Sequence, residues 1–275
     1  MYYQRLDVKR AITDFASASG INGVRECSFY NHNVRSIQRH LDGSSQAPIH
    51  IDKVAELDRV LAMGASAFYC SYWRYRWGDL ATPVGRDLVW TIRAKQGGLK
   101  FTQEATVWTI EALEQAGISE PWVKYSGELG FDLAVPLETI PCEIWAGSID
   151  ALHDLHDGLT SYIVSVLRER SSDILVDGGI SPIEITRGKE TCLLSELRVR
   201  RGLLLAPMSL NPHSGLVSVT LDPKRVMNFA ILDASPADAR GFEWEPPSRV
   251  SHELLGHVRP WQHQNPVRLP QADIS

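Results

Sequence analysis

An α+β domain is predicted by three observations. Strand-type and helix-type segments are mixed along the chain. They lack the regular βαβ alternation that marks a doubly wound parallel sheet. With 275 residues, 44% hydrophobic and 22% charged, the chain can bury a large core without metal or disulfide staples.

Taken in order, residues 1–63 read mostly as helix. HIDKVAELDRVLAMG offers Asp52 as an N-cap, Val54, Leu57, Val60 and Leu61 as an apolar face, and Gly64 as a stop. SAFYCSYWRY (66–75) is aromatic and unbroken, a strand whose alternation buries Phe68, Cys70 and Tyr72. Arg74 and Arg76 share the phase of Tyr72, which gives a mixed basic and aromatic face. Tyr69, Trp73, Tyr75 and Trp77 complete the aromatic cluster, for which core packing competes with base stacking. DLVWTIRA (87–94) is a second strand, with Asp87, Val89, Thr91 and Arg93 on one face. TQEATVWTIEALEQAG (102–117) is an amphipathic helix closed by Gly117, and PWVKYSG (121–127) and GFDLAVPLE (130–138) are strands joined by a tight turn. SIDALHDLHDGLTSYIVSVLRER (148–170) is helical with an interruption near Gly158, and GLVSVTL (215–221) is a strand. The Pro-, Gln- and His-rich end divides the chain into a domain over 1–245 and an extended tail over 246–275.

A net charge of −5 argues against coating nucleic acid by bulk charge and leaves room only for a local basic groove. The apolar runs fall far short of the ~20 residues of a membrane span. The polar start MYYQRLDVKR is not a signal peptide, so a cytoplasmic setting without membrane contact is expected. Cys27, Cys70, Cys142 and Cys192 are scattered and read as reduced, buried thiols. A zinc site from Cys142, His153, His156 and Cys192 lacks finger spacing; the two histidines read as partly exposed helix residues. Ser126-Gly127-Glu128-Leu129-Gly130 lies between strands and not before a helix, so it is no P-loop. No elbow motif supports a nucleophile triad.

Five segments, in order, resemble the archaeo-eukaryotic primase superfamily, with the archaeal primase small (catalytic) subunit the nearest likeness. RECSF (25–29) resembles its Arg-Glu-x-x-Phe motif, and FYCSYWRYRW and RDLVWTIRAK resemble two successive strands, the second reading Asp-Leu-Val-Phe-Asp-Ile-Asp in the family. WVKYSGELGFDLAVPLE resembles its signature hairpin and LLLAPMSLNPHSGLVSVTLDP its late motif. The resemblance implies a primase-like (RRM-like) catalytic core with N-terminal helical elements. It implies DNA replication or repair as the setting, DNA or RNA as ligand, and a primase catalytic or large subunit as partner.

The departures fall on the chemistry. Thr91 and Arg93 stand at the first two metal-binding aspartates, and Asp132 stands at the phosphate-contacting histidine. The third carboxylate position falls on Leu193 or Leu194, flanked by Glu190 and Glu196. Asn211 and His213-Ser214 replace the late histidine and Lys-Thr, and no zinc knuckle precedes the following helix. Two-metal phosphoryl transfer needs carboxylates holding ions ~3.5–4 Å apart. Threonine is no charged ligand, and arginine is a fixed cation that repels Mg²⁺.

The main expectation is therefore a non-catalytic primase-like protein without a metal cofactor. Its candidate nucleotide or nucleic-acid contacts are Arg74, Arg76, Arg93, Lys95, Lys124, Ser126, Gly127, Gly130, Ser209 and His213. Arg93 either pairs with Asp132 or Asp87 or offers its fork to phosphate without metal. The alternatives are a metal-independent nucleotide-binding module, and an active primase or polymerase. The latter would hold Mg²⁺ or Mn²⁺ on relocated carboxylates drawn from Glu104, Glu128, Asp132, Glu190 and Glu196.

Overall fold

Two antiparallel sheets and a short ribbon carry the architecture of the computed structural model, which describes residues 2–17, 23–41, 48–76, 78–178 and 181–244. The first part of the chain holds α1 (Leu6–Ser17), β1 (Cys27–Asn31), β2 (Ser36–Gln38), α2 (Val54–Ala62), β3 (Ala65–Ser71) and the β4–β5 ribbon (Trp73–Arg76, Asp79–Arg86). Next come β6 (Leu88–Gln96), α3 (Leu99–Gln115), β7 (Trp122–Tyr125), β8 (Gly130–Val135), α4 (Cys142–Trp145) and α5 (Ile149–Arg170). β9 (Ile174–Asp177), β10 (Ile183–Arg187), β11 (Glu190–Glu196), β12 (Leu203–Leu205) and β13 (Thr220–Leu221) complete it. The larger sheet runs β13-β7-β8-β6-β11-β10-β9 and the smaller β12-β3-β1-β2. This is the mixed helix and sheet fold expected from the sequence. No helix among the described residues is long and apolar enough to cross a membrane.

The period-2 pattern of the central strands decides which face of the large sheet is dry. Trp90 and Ile92 of β6, Phe131 and Leu133 of β8, and Leu194 of β11 are fully buried. They belong to one cluster with Phe101, Ala105 and Leu113 of α3 and Leu152, Leu159 and Ile163 of α5. The Trp90 indole N–H donates to Thr160 Oγ1 of α5 at 2.8 Å, so even the polar edge of this ring is satisfied. On the opposite face lie Thr91, Arg93, Lys124, Asp132 and Ser195, brought side by side by the registers Thr91↔Asp132, Lys124↔Asp132 and Ser195↔Thr91.

Several local expectations are corrected. Residues 1–63 are not mostly helical: β1 and β2 lie between the two helices, because Cys27 and Phe29 bury themselves in pairing with Cys70 and Phe68 of β3. The aromatic run 66–75 is two strands in different sheets. The chain turns at Tyr72, where Ser71 Oγ takes the Trp73 N–H at 3.0 Å and Tyr72 O takes the Asp87 N–H at 2.9 Å. α2 starts at Val54 with Lys53 in the cap position and no side-chain cap bond, so Asp52 does not cap it. α5 runs through Gly158 without a break, since that residue lies on its buried face between Leu155 and Leu159. The strand at 215–221 shrinks to Thr220–Leu221 plus a Leu210↔Val217 bridge. All four cysteines are free, but Cys142 is exposed at the start of α4. The tail over 246–275 and Trp77 lie outside the described residues.

Candidate functional site

The segments that resembled family motifs converge in space. The late segment ties the two sheets together: β12 pairs with β3, and β13 pairs with β7 of the hairpin. The tight turn between β7 and β8 needs Gly127, whose φ of +83° is left-handed. Gly130 has no room for a side chain, because a Cβ there would sit 2.3 Å from Ile92 O. These constraints lay β8 flat against β6 and set Asp132 opposite Thr91.

Asp132 is the centre of the face. Its carboxylate is buried, and its two oxygens are divided between Arg93 and Lys124. Lys124 is 3% exposed and also donates to Ser218 Oγ at 3.0 Å. Arg93 also donates to the carbonyls of Phe131 and Ile92, and its side chain keeps 32% exposure. Burial pushes the Asp132 carboxyl up, but the charges of Arg93 and Lys124 outweigh it and hold the group below the usual carboxylate range. Burial pulls the Lys124 ammonium down, opposed by Asp132 and aided by Arg93.

The other candidate contacts are distributed differently from the sequence expectation. Arg74 is 1% exposed and does not join an outer basic face; it is bound to Asp87 at 3.0 Å and Glu138 at 2.8 Å. A strand inside the core needs a carboxylate for such a cation, and the ribbon brings Asp87 to it. Lys124 is likewise buried and unavailable to solvent. Lys95 is half exposed and ion-paired with Glu184. Ser209 is fully buried and its hydroxyl accepts the Phe68 N–H at 2.7 Å. Ser126 Oγ accepts the Glu128 N–H at 3.3 Å, inside its own turn. His213 is exposed near the Tyr30 ring, and Arg76 is exposed on the ribbon. Of the aromatic cluster, Phe68, Tyr72, Trp73 and Tyr75 are core residues.

The five carboxylates considered for a relocated metal site do not gather at one place. Glu104 and Glu190 share Arg187, which stacks over the rings of Phe101 and Trp108 on the helix side. Glu128 is exposed in the hairpin turn. Glu196 pairs in register with Trp90 on the helix-covered face, where it accepts from Thr160 and Arg198. Burial pushes its carboxyl up to about 7, against the Thr160 hydroxyl and the Arg86 charge. Among the described residues, no group of three or more His, Cys, Asp or Glu is disposed to hold a metal ion. His156 is fully buried and not part-exposed; its Nδ1 lies 3.0 Å from Arg86 Nη2 because both groups sit under the β5–α5 contact.

Sequence reasoning missed the deepest charged cluster. Asp87 is 2% exposed and holds Arg25 at 2.7 Å as well as Arg74, while its Oδ1 accepts the Leu137 N–H at 3.1 Å. Arg25 also donates to Ser71 O at 2.8 Å and lies 4.1 Å from the Phe15 ring centroid. The available signal was an arginine in each of two strand-like apolar contexts, at 25 and 74, each needing an acid to be buried.

The class defined by these features is a mixed helix and sheet domain with one sheet face sealed by helices and the other carrying charge. In particular, the fold is similar to that of the polymerase domain of ligase D from Mycobacterium tuberculosis, solved in complex with DNA. The TM-score is 0.56 at 14% identity, over 94% of this chain and 89% of that one. No protein-family model and no curated protein matches the chain by sequence.

Proposed function

We propose that this chain is a primase–polymerase-like protein that serves DNA replication or repair by binding nucleic acid or a replication partner, without the nucleotidyl transfer of the family it resembles. The observation that carries this reading is the closed cluster on the β6–β8 face. Asp132 is buried between Arg93 and Lys124 where the resemblance would place metal ligands and a phosphate-binding histidine. Both carboxylate oxygens are engaged by cations, and the neighbouring Thr91 and Ser195 carry no charge. A divalent ion arriving there would meet two positive groups and no free carboxylate. The polymerase-domain fold and the order of the five motifs support a nucleic-acid setting. A primase catalytic or large subunit is the protein partner that the resemblance suggests.

Primer extension and de novo synthesis assays with Mg²⁺ and with Mn²⁺ test the reading. The expected outcome is no incorporation above background. Metal-dependent incorporation that disappears in Asp132→Ala or Glu196→Ala would overturn it in favour of relocated carboxylates.

A further inference from the structure

The closed cluster raises a question about any nucleic-acid contact. Of the five basic residues expected to form a patch, Arg74 and Lys124 are buried, and Arg93 and Lys95 are ion-paired; Arg76 is exposed and has no direct ion pair among the described residues. A chain of net charge −5 must attract a polyanion locally, so the surface has to lie elsewhere.

Arg76 leads to it. It ends β4, and the residue before it, Tyr75, accepts the Arg201 N–H on its hydroxyl at 3.1 Å. Arg201 belongs to the loop between β11 and β12, where it adopts a left-handed φ of +59°. Its guanidinium binds both oxygens of Glu26, at 3.0 and 2.6 Å. Arg39 donates to the same carboxylate at 2.8 Å and to Arg201 O at 3.1 Å. Arg200, next in the chain, reaches Ala81 O of β5 at 2.6 Å and has no carboxylate partner among the described residues. The side chains of Arg39 and Arg201 remain 34% and 45% exposed, while Glu26 beneath them is 1% exposed. Two guanidiniums thus hold one buried acid, while Arg200 in the same loop reaches the β4–β5 ribbon at Ala81 and Arg76 lies on that ribbon, with half-buried Asp79 opposite it as a counter-charge.

We infer that Arg39, Arg76, Arg200 and Arg201 form a binding surface for the phosphodiester backbone of a nucleic acid, on the β4–β5 ribbon and the loop after β11. The inference rests on the nucleic-acid reading proposed above and names the surface that does the binding. The chemistry favours phosphate: all four cations are arginines, whose planar forks match phosphate oxygens in a way that lysine does not. Glu26 holds two of them in place before any ligand arrives, which lowers the ordering cost of binding. Val199, 74% exposed in the same loop, adds an apolar contact beside the charges.

The test is fluorescence anisotropy with labelled single-stranded DNA and RNA oligonucleotides over a salt series, using the full chain. The probe variant is Arg76→Gln with Arg200→Gln, because neither residue holds Glu26 and the fold is left intact; thermal melting checks this, and Arg200→Lys is the milder second variant. Lys224→Gln, an exposed lysine off the patch, removes one charge as a control. The expected result is a tenfold or greater loss of affinity (~10-fold) in the double variant, with the log–log salt slope reduced by about 1.4, from two contacts at ~0.7 each. Lys224→Gln should bind like the parent. If the parent binds and the double variant binds equally well, the surface is wrong while the nucleic-acid reading stands. If the parent binds neither oligonucleotide, the nucleic-acid reading itself fails. Binding of poly-glutamate, lost in the double variant and not displaced by oligonucleotide, would overturn the inference in favour of an acidic polypeptide partner.

Discussion

Asp132 and Asp87 are both buried aspartates held by two cations, yet the chain uses them differently. Asp87 is surrounded on every side: Arg25 and Arg74 are each 1–2% exposed, and the Leu137 N–H takes part of the same carboxylate. Burial pushes its carboxyl up, and the charges of the two arginines outweigh it and pull the group below the usual range. Asp132 has one buried lysine and one arginine that reaches solvent. The first cluster ties β1, the β4–β5 ribbon and the start of β6 into one body. The second sits on the sheet face opposite the helices, where Arg93 is its part-exposed member. The nature of the partners decides how each responds to damage. Arginine cannot shed its proton, so two buried arginines demand their acid; lysine can escape an uncompensated burial by becoming neutral.

The comparison is broken most directly by Asp87→Asn. The variant keeps the shape and the acceptor for Leu137, but strands the buried guanidinium of Arg25 and leaves Arg74 with Glu138 alone. A loss of about 3–5 kcal/mol is expected, read by denaturant unfolding. A loss below 1 kcal/mol would show that water reaches the cluster.

Asp132→Asn should cost less, about 1–3 kcal/mol, because Arg93 can turn to solvent and Lys124 can deprotonate. This difference carries a pH signature. Burial and the charge of Arg93 lower Lys124, and the variant removes the group that opposes them. A lysine with a depressed folded-state pKa binds fewer protons folded than unfolded, so stability rises as pH climbs through the folded value toward the unfolded ~10.4. The deficit of Asp132→Asn should therefore shrink in melts between pH 7 and 10, whereas that of Asp87→Asn should stay level.

The smallest effect is expected at Lys95. Its ion pair with Glu184 is about half exposed on both sides, so Lys95→Ala should change stability by no more than about 0.5 kcal/mol in a denaturant titration, and still less in high salt.

Local pattern determined much of this molecule. The 3.6-residue period and the stop at Gly117 announce α3, and the alternation in LVWTIR announces β6 with Thr91 and Arg93 on a common face. The turn glycines place β7 beside β8, and that register puts Asp132 next to them. These features depend on neighbours within a few residues, which a sequence displays. Only the tertiary structure decided which of two acids Arg93 would take, since Asp87 and Asp132 were equally eligible in the sequence and the register alone chose Asp132. It also decided that Arg74, expected on a mixed basic and aromatic face, is sealed in the core, because the chain turns at Tyr72 and carries the ribbon to Asp87. The arginine surface anchored on Glu26 was invisible for the same reason. Its members come from β2's flank, the ribbon and the loop after β11, and charge pairing over such separations is set by how sheets pack, which no local period encodes.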